Sequence, residues 1–434
     1  MKIKEIFILF LIIIAGIIFY HAQTGNLDLY IELDDYFFDA DVFTFEKTQH
    51  INPPFPYQMD ISNHYGDIKV IRTEKDEITI YSEKKVRHRT PEEAKDIAEN
   101  LKVFVNQDSE KIMVSAIKDT HRSTRLRTDL EVYIPKGFDL NIHNSYGMVD
   151  VQGAKNAEII NKNGAVHVSQ ITENLRALTT YKSIVVEKVD GECELEGLRS
   201  RINASDIKGK LIIKNKYGSI ELQNISQNIT VDGLHCRIRG ENLSGLIEAE
   251  NSYEPIELSS IQSATIKADN SPINIDNAQN DLNIDNKYSR IKLSRIDGNI
   301  NIEGENNEVL GRDLFGDLIY VSSSYREINL NHFSAETQIH LAHGKVTLSP
   351  SFAQIKPISV KGTYAEIEFV VPPGIELPFQ AQTKSGQIKW HLSEKGIKKI
   401  SNGYTIIKAF LDNGEKPLVS LVTTYGNILV REDT

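Results

Sequence analysis

Six tyrosines recur at intervals of 35 to 37 residues, and they are the side chains of this sequence best placed to bind a ligand. A tyrosine ring combines a large apolar surface with a hydroxyl group, so a regular row of rings suits a glycan or a peptide. Packing of the rings on neighbouring turns would produce the same row and is the competing interpretation. The six candidates are Tyr146, Tyr181, Tyr217, Tyr253, Tyr288 and Tyr325.

The sequence carries no recognisable catalytic or metal-binding pattern. It has no phosphate-binding loop, nucleophile elbow, His-Glu-x-x-His motif or dinucleotide fingerprint. His340 and His343 are the closest pair of histidines in the sequence. A spacing of three residues places two side chains on one face only in a helix, and these two lie on strand and turn positions, so we do not expect them to bind a metal together. Asp and Glu are numerous but form no column of the kind that β-helix hydrolases use. We therefore predict no catalytic residue, no metal and no cofactor.

The tyrosines belong to a short internal repeat, which is the main structural signal of the chain. Twelve Val or Ile residues follow one another at separations of 17 to 19 positions. A repeat of this length indicates stacked units that share one core. The twelve residues are Val149, Val166, Ile184, Ile202, Ile220, Ile238, Ile256, Ile273, Ile291, Val309, Ile328 and Val346.

Each repeat has the same internal pattern of apolar residues. Counting from the Val or Ile, apolar residues return at positions +2, +5, +9 and +11, as in Ile220, Leu222, Ile225, Ile229 and Val231. The two pairs with a spacing of two predict two short strands, and the single residue at +5 fills the bend between them. One face of each strand is therefore expected to be buried and the other to be exposed.

The pattern predicts an all-β fold, a right-handed parallel β-helix or β-solenoid with coils of about 18 residues. A β-meander would need hairpin turns, and helical repeats would show a period of 3.6 residues, which is absent. A left-handed hexapeptide helix needs apolar residues at positions 0, +6 and +12, but these positions include Ser226 and Asp232. With strands about 4.8 Å apart, twelve coils would form a rod on the order of 55 to 60 Å long.

The sequence divides the chain into three parts. Residues 1–22 are a signal peptide or a membrane anchor, because two lysines precede an apolar run that is short for a membrane span. Residues 23–128 form an N-terminal segment and cap, which is rich in β-structure and has a short helix starting at Thr90. Residues 129–434 form the solenoid, with regular coils over about 144–350 and irregular closing coils over 351–434.

A second period of two coils runs through the turns. Each candidate tyrosine lies three residues before the Val or Ile of its coil, and the coils between carry a polar residue there. Asn144, Asn215, Asn251 and Asn286 each precede a tyrosine by two positions, and Asn tolerates left-handed backbone at tight corners. The polar residues of the alternate coils are Asn163, Arg199, His235, Asn270, Asn306 and His343.

Charge and cysteine content limit the compartment and the partners. The net charge of −11 is spread along the chain, and because an acidic surface repels phosphate we exclude nucleic acid as a partner. The N-terminal lysines and apolar run predict export to the periplasm, the outer surface or the medium. Membrane contact is expected only through this segment, if it is not cleaved. Cys193 occupies an inward position of the repeat, so we interpret it as a core residue, and we expect both cysteines to be free.

The sequence between Asp129 and Pro135, followed by Ser145, Tyr146 and Gly147, resembles the entry of a bacterial adhesin-like β-solenoid family of unknown function. This family is related in pattern to the head domains of autotransporter adhesins. The likeness extends over about residues 61–430 and implies a binding role, but it supplies no catalytic residue. Segments similar to the closing coils of the family lie at residues 369–374, 383–388 and 423–428.

These observations favour a non-enzymatic exported β-solenoid that acts as an adhesin-like binding or structural module of the bacterial cell envelope. A glycan or an envelope or surface protein is the expected partner. A carbohydrate-active β-helix enzyme is the first alternative, and a self-associating solenoid scaffold is the second. The absence of an acidic column argues against the enzyme, and export argues against a cytoskeletal type of filament.

Overall fold

Short alternations of apolar and polar residues make nearly every described segment of this chain a β-strand. The computed structural model describes residues 41–116, 126–351, 356–392, 396–411 and 416–433. These residues form a β-solenoid of about 13 turns with a repeat of about 18 residues, so the predicted fold class is confirmed. The predicted signal peptide or anchor at residues 1–22 lies outside the described residues.

The strands fall into an N-terminal group, a regular group and a closing group. The N-terminal group is β1 (Asp41–Ile51), β2 (Gln58–Tyr65), β3 (Ile68–Arg72), β4 (Ile78–His88), the helix α1 (Pro91–Asn100), β5 (Phe104–Gln107), β6 (Ile112–Ala116) and β7 (Leu126–Ile134). The regular group is β8 (Asp139–Tyr146), β9 (Val149–Ala154), β10 (Asn156–Asn161), β11 (Val166–Ile171), β12 (Leu175–Thr180), β13 (Ile184–Val189), β14 (Cys193–Leu198), β15 (Arg201–Ile207), β16 (Leu211–Lys216), β17 (Ser219–Ile225), β18 (Ile229–Leu234), β19 (Arg237–Ser252), β20 (Ile256–Asp269), β21 (Ile273–Ala278), β22 (Leu282–Lys287), β23 (Arg290–Ile296), β24 (Ile300–Glu305), β25 (Glu308–Leu314), β26 (Leu318–Ser323), β27 (Glu327–Phe333) and β28 (Glu336–Ser349). The closing group is β29 (Ile358–Val371), β30 (Phe379–Thr383), β31 (Ile388–His391), β32 (Ile397–Ser401), β33 (Tyr404–Ala409), β34 (Val419–Thr423) and β35 (Ile428–Glu432).

Each regular coil contributes two strands, and each strand pairs in parallel with the corresponding strand of the next coil. Where β15 pairs with β17, Ile202 lies beside Ile220. In the other sheet β16 pairs with β18, and Leu211 lies beside Ile229. The spacing of 18 residues in the sequence is therefore the step between hydrogen-bonded neighbours in two parallel sheets.

The apolar columns of the repeat form one continuous core between the two sheets. Ile220, Leu222, Ile225, Ile229 and Val231 are each at most 4% exposed, as the repeat pattern predicts. Burial of each such side chain stabilises the folded state by about 1.5 to 3 kcal/mol relative to leaving it exposed. A single coil has apolar neighbours only in the coils above and below it, so the stability of each coil depends on stacking.

Two residues in most regular coils adopt left-handed backbone, and these two bends carry the chain from one sheet to the other. In one coil they are Tyr217, with φ of 60°, and Asn224, with φ of 55°. This conformation costs a residue with a side chain about 1 to 2 kcal/mol. The chain accepts it because the bend keeps the backbone paired: the N–H of Tyr217 donates to the Leu234 carbonyl at 2.8 Å. Residues at the second bend are Gln170, Lys188, Asp206, Asn224, Asn242, Ser260, Asn277, Arg295, Asp313 and His332.

The asparagines that precede the tyrosines by two positions do not form the left-handed bend. Asn215 is buried in β16, and its Nδ2 donates to the Ser200 carbonyl at 2.9 Å. Asn286 donates in the same way to the Ser271 carbonyl at 3.1 Å. The expectation that Asn supplies the left-handed residue is therefore wrong for these coils. A buried backbone carbonyl at the bend needs a donor, and the asparagine supplies it.

The N-terminal end of the solenoid is assembled out of chain order. β2 pairs with β6 on one side and with β8 on the other, and β3 pairs with β7 and β9. The coil of β2 and β3 is the first in the chain, but it lies second along the rod, between the coil of β6 and β7 and the coil of β8 and β9. Beyond β7, the antiparallel strands β4 and β1 extend one sheet. The helix α1 packs beside them and buries Ala94 and Ala98.

The C-terminal end repeats this arrangement with a coil inserted from the end of the chain. β34 pairs with β29 and with β30, and β35 pairs with β29 and with β31. The coil of Ile428 therefore lies between those of Ile367 and Ile388, although it follows both in the sequence. Hydrogen bonds from Lys345 and then Arg431 lower the pKa of Glu368 and tie the inserted coil to its neighbours.

Antiparallel strands extend the sheets at both ends of the rod, and at the N-terminal end β5 also pairs antiparallel with β6 in the other sheet. β33 and β32 extend the sheet of β30, as β4 and β1 extend the opposite end. Lys398 and Lys399 lie exposed on β32, the outermost strand of this end within the described chain. Lysines on an edge strand oppose pairing with another chain, whereas Ile397 and Ile400 of the same strand are 75% and 72% exposed.

Both cysteines are free and buried. Cys193 is fully buried in the column that Leu175 and Leu211 share, which agrees with its interpretation as a core residue. Cys236 is fully buried beside the first bend, where its thiol donates to the Asn215 carbonyl at 3.2 Å. Burial raises the pKa of Cys193, and it is also the largest cause of the raised pKa of Cys236.

We expect the inward and outward positions of one strand to respond oppositely to mutation. Ile256→Asp places an unpaired charge at a site with 0% exposure and should lower the free energy of unfolding by about 3 to 5 kcal/mol. Glu257→Gln, one residue further on, removes only a surface ion pair with Arg239 and should cost less than about 1 kcal/mol. Urea denaturation of both variants measures the difference. Equal losses would show that the register is wrong.

The order of the closing coils can be tested by engineered disulfides. Ser359 and Ser420 are direct neighbours on adjacent strands, and so are Ser420 and Gln380. Cysteine pairs at either of these positions should form a disulfide under mild oxidation, because neighbouring strands lie within the reach of about 7 Å. A pair at Ser359 and Gln380 should not, since the inserted strand separates them by about 10 Å. Mass spectrometry under non-reducing conditions reports each bond, and a 359–380 crosslink would contradict the insertion.

The two native thiols should resist alkylation while the protein is folded. A raised pKa means that less thiolate is present at pH 8 than in a free cysteine, and burial also blocks the reagent. We expect no mass shift with iodoacetamide before unfolding and addition of two groups after unfolding in guanidinium. Rapid labelling of Cys193 in the folded protein would show that its coil is open.

Candidate binding site along the first bend

The six candidate tyrosines form part of one column that runs along the first bend of every coil. Each lies three residues before the inward Val or Ile, and so do the polar residues of the alternate coils. We call this column the planar ladder, because each of its side chains ends in a flat group. In spatial order it contains Tyr65, Tyr146, Asn163, Tyr181, Arg199, Tyr217, His235, Tyr253, Asn270, Tyr288, Asn306, Tyr325, His343, Tyr364 and Tyr425.

Rings in the middle of the ladder stack face to face. The centroids of Tyr217 and His235 are 5.1 Å apart with an interplanar angle of 14°, and those of His235 and Tyr253 are 4.6 Å apart at 5°. The tyrosines of alternate coils are therefore about 10 Å apart, as the strand spacing predicts. They are not separate platforms, however, because the histidine fills the space between them.

The same stacking occurs towards both ends of the ladder. His343 lies between Tyr325 and Tyr364, with centroid distances of 4.8 Å and 4.7 Å. Tyr364 then stacks on Tyr425 of the inserted coil at 4.6 Å. At the other end, the centroids of Tyr65 and Tyr146 are 4.9 Å apart. The inserted coils at the two ends thus extend the ladder as well as the core.

Sequence reasoning missed Tyr65, Tyr364 and Tyr425. Each lies three residues before an inward isoleucine, namely Ile68, Ile367 and Ile428. The count that identified the other six would have found these three if it had been applied to the irregular coils. Their stacking partners could not have been found in this way, because the coil order at both ends differs from the chain order.

The polar members of the ladder occupy the same slot with other flat groups. The guanidinium of Arg199 lies over the Tyr181 ring, 5.7 Å from its centroid. Asn270 and Asn306 adopt the left-handed conformation at the bend, as Tyr253 and Tyr288 do. The alternation predicted from the sequence is therefore a strict alternation of phenol with a nitrogen-bearing planar group through the middle of the rod.

The ladder presents the edges of its side chains to solvent. Tyr217 and Tyr253 are 52% and 57% exposed, and the other candidate tyrosines are exposed to a similar degree. Where rings stack, as Tyr217, His235 and Tyr253 do, the ring faces are covered and the exposed part consists of ring edges and hydroxyl groups. Within the described chain, only Tyr288 of the six has a hydrogen bond from its hydroxyl, a long one of 3.5 Å to Glu305. The ladder is suited to hydrogen bonding along its edge more than to stacking on a ring face.

Charges beside the ladder are of both signs. Arg290 pairs with Glu308 at 3.0 Å, and Arg237 lies 4.0 Å from Glu254. These pairs sit just after the bend on successive coils, so they neutralise one another locally. At these two positions the surface beside the ladder is therefore polar without a strong net charge.

A shallow groove lies on the outer face of the sheet that contains β15 and β17. It has a volume of about 720 Å³ and carries the outward carboxylates of Glu187, Glu221, Glu241 and Glu257. Its cation, Arg239, donates from Nε to Glu257 at 2.6 Å. The groove therefore holds an ion pair between coils, and the residue types on its floor change from one coil to the next. A smaller groove of about 440 Å³ lies on the other sheet, near Glu158 and Glu194.

The described residues contain no group of three or more His, Cys, Asp or Glu that could hold a metal ion. Among those residues, no helix is long and apolar enough to cross a membrane.

Comparison with known proteins places the fold in a family. The model of the Toastrack DUF4097 family matches residues 57–430. No curated protein matches the chain. A crystal structure from Clostridium sporogenes, described only provisionally as a cell adhesion protein, shares 8% identity with a TM-score of 0.21. That alignment covers 90% of this chain and 100% of the other, but so low a score transfers no property. The match over most of the sequence shows that the chain belongs to the Toastrack DUF4097 family.

Proposed function

We propose that this chain is a non-enzymatic, adhesin-like binding rod whose ligand contacts the planar ladder. The observation that carries the proposal is the half-exposed column of planar side chains that continues from Tyr65 to Tyr425. Such a column offers hydrogen-bonding groups at every coil along one line, which suits an elongated partner. A glycan or an extended envelope protein has that shape.

The choice of tyrosine at the bend supports a role beyond turn formation. Tyr181, Tyr217, Tyr253 and Tyr288 adopt φ between 60° and 69°, which costs each about 1 to 2 kcal/mol. Asn270 takes the same conformation, and asparagine does so more readily than a bulky residue. A stacked aromatic pair stabilises the folded state by about 0.5 to 1.5 kcal/mol, which only offsets the cost of the left-handed backbone. Stacking alone therefore gives tyrosine little advantage over asparagine, and ligand binding supplies a further reason for it.

The described residues favour binding over catalysis. The ladder contains no carboxylate, and its histidines are held between tyrosine rings rather than beside a nucleophile. The carboxylates of the large groove lie on an open face, where Arg239 occupies the place between Glu221 and Glu257 on successive coils. A glycosidase needs two carboxyl groups at a fixed separation on either side of a bound sugar. The carbohydrate-active enzyme is therefore the weaker alternative.

We also propose that the protein acts in the cell envelope after export. The support is the lysine-flanked apolar run of residues 1–22, which serves as a signal peptide or a membrane anchor. Partners would then be glycans or proteins of the envelope or of another cell surface.

Removing three central rings tests the proposal. The variant Tyr217→Asn, Tyr253→Asn, Tyr288→Asn introduces the residue that the chain itself uses at position 270, so the bend is preserved. If the ladder is the site, binding to a glycan array or to isolated bacterial envelopes should weaken by at least about 100-fold, because each of the three lost contacts contributes about 1 to 2 kcal/mol. The melting midpoint should fall by only a few degrees, since stacking and relief of backbone strain oppose each other.

A matched control uses the second bend in the same stretch of the rod. It replaces three exposed left-handed residues with glycine, in the substitutions Asn224→Gly, Asn242→Gly and Asn277→Gly. Glycine occurs naturally at this bend in another coil, at Gly153. This control should keep full binding. Loss of binding in both variants, or a large loss of stability in the ladder variant without any loss of binding, would contradict the proposed site.

A further inference from the structure

We infer that the planar ladder takes an extended β-1,4-linked glycan, which lies along the axis of the rod. This inference rests on the proposed binding function and names its ligand class. It is carried by a match between two repeats, one along the ladder and one along the sugar chain. The ladder repeat is measured on its described rings, and the sugar repeat follows from the chemistry of the linkage.

The step between neighbouring members of the ladder matches the step between sugars. Centroid distances are 5.1 Å and 4.6 Å across His235, and 4.8 Å and 4.7 Å across His343. These are strand spacings of the solenoid. In a β-1,4-linked chain of pyranoses the equatorial bonds hold the chain straight, and the rise per sugar is close to one strand spacing. Each coil can therefore face one sugar.

The alternation of the ladder also matches the alternation of the glycan. Successive sugars in an extended β-1,4-linked chain are turned over by about half a rotation, so the true repeat is a disaccharide. The ladder alternates in the same way, because phenols at Tyr217, Tyr253 and Tyr288 are separated by His235 and Asn270. A disaccharide thus meets one phenol and one nitrogen-bearing planar group every two coils.

The ladder is long enough to contact several sugars at once, because it continues from Tyr65 to Tyr425. Stacked neighbours on it are nearly parallel, with interplanar angles between 5° and 14°. A ligand that spans several coils gains affinity with length, as multivalent contacts do.

Other linear ligands fit the spacing or the surface less well. An extended peptide repeats its side chains every two residues, at about 6.6 to 6.8 Å, so it drifts out of register with coils about 4.8 Å apart. Single-stranded nucleic acid binds by stacking bases on free ring faces and by phosphate contacts. The stack covers ring faces, and the net charge of −11 opposes phosphate.

The exposed groups suit sugar hydroxyls. Phenol oxygens, imidazole nitrogens, amides and the Arg199 guanidinium donate or accept hydrogen bonds in the plane of the side chain. That plane points outward at the edge of the stack. Ion pairs such as Arg290 with Glu308 leave the flanks locally neutral, which fits an uncharged polymer.

Oligosaccharides of defined linkage test the inference with the full-length protein. Calorimetric titration with cello-oligosaccharides and chito-oligosaccharides of two, four and six sugars should show affinity rising at least tenfold from dimer to hexamer. Hexamers of β-1,3-linked and α-1,4-linked glucose coil instead of extending, and they should bind at least tenfold more weakly. Equal affinity for hexamers of all linkages would overturn the inference.

The ladder variants connect this binding to the site. Tyr217→Asn, Tyr253→Asn, Tyr288→Asn should lose at least tenfold in affinity for the β-1,4-linked hexamers, and the Asn224, Asn242, Asn277→Gly control should keep it. If the triple variant fails to fold, Tyr253→Asn alone should still remove most of the gain between tetramer and hexamer. Hexamer binding that survives every folded ladder variant would overturn the inference.

Two outcomes separate this inference from the proposed function. If no β-1,4-linked oligosaccharide binds, but the array or the envelopes bind in a manner that depends on the ladder, only the glycan class is wrong. If no probe shows binding that depends on the ladder, both the glycan class and the proposed site are wrong.

Discussion

Parallel pairing between neighbouring coils is the constraint on which the rest of this structure depends. Every strand of the regular coils must find its hydrogen-bond partners about 18 residues away, so the chain has to complete a turn in nearly the same number of residues each time. Two left-handed bends per coil make this possible at an energetic cost that packing of the core offsets. Because the bends recur at fixed positions, whatever side chains they carry are stacked along the whole rod.

The planar ladder is a direct result of this constraint. A side chain at the first bend has neighbours one strand spacing above and below it, which is close to the distance at which flat groups stack. Tyrosine, histidine, arginine and asparagine fill this position in the regular coils, and all of them end in a planar group. Stacking covers the faces and leaves the edges for a partner, so the geometry that stabilises the ladder also determines how it can bind.

The ends of the rod show how a solenoid limits its open edges. At each end a coil from elsewhere in the chain is inserted between two others, and antiparallel strands extend the sheets beyond the coils. The inserted coils carry Tyr65 and Tyr425, so the ladder continues into both caps. Capping and the candidate site are thus built from the same repeat.

The repeat alone determined the fold class, the inward columns and the position of Cys193, because in-register parallel strands require the same residue type at the same position of every coil. It also located the six tyrosines of the regular coils. Only the tertiary structure decided the coil order at the two ends, since inserted coils follow the same pattern whichever neighbours they have. It also showed that Tyr217, and not Asn215, takes the left-handed bend, and that His235 fills the space between two tyrosines. Backbone dihedrals and stacking distances depend on how neighbouring coils meet, and that contact is made only when the chain has folded.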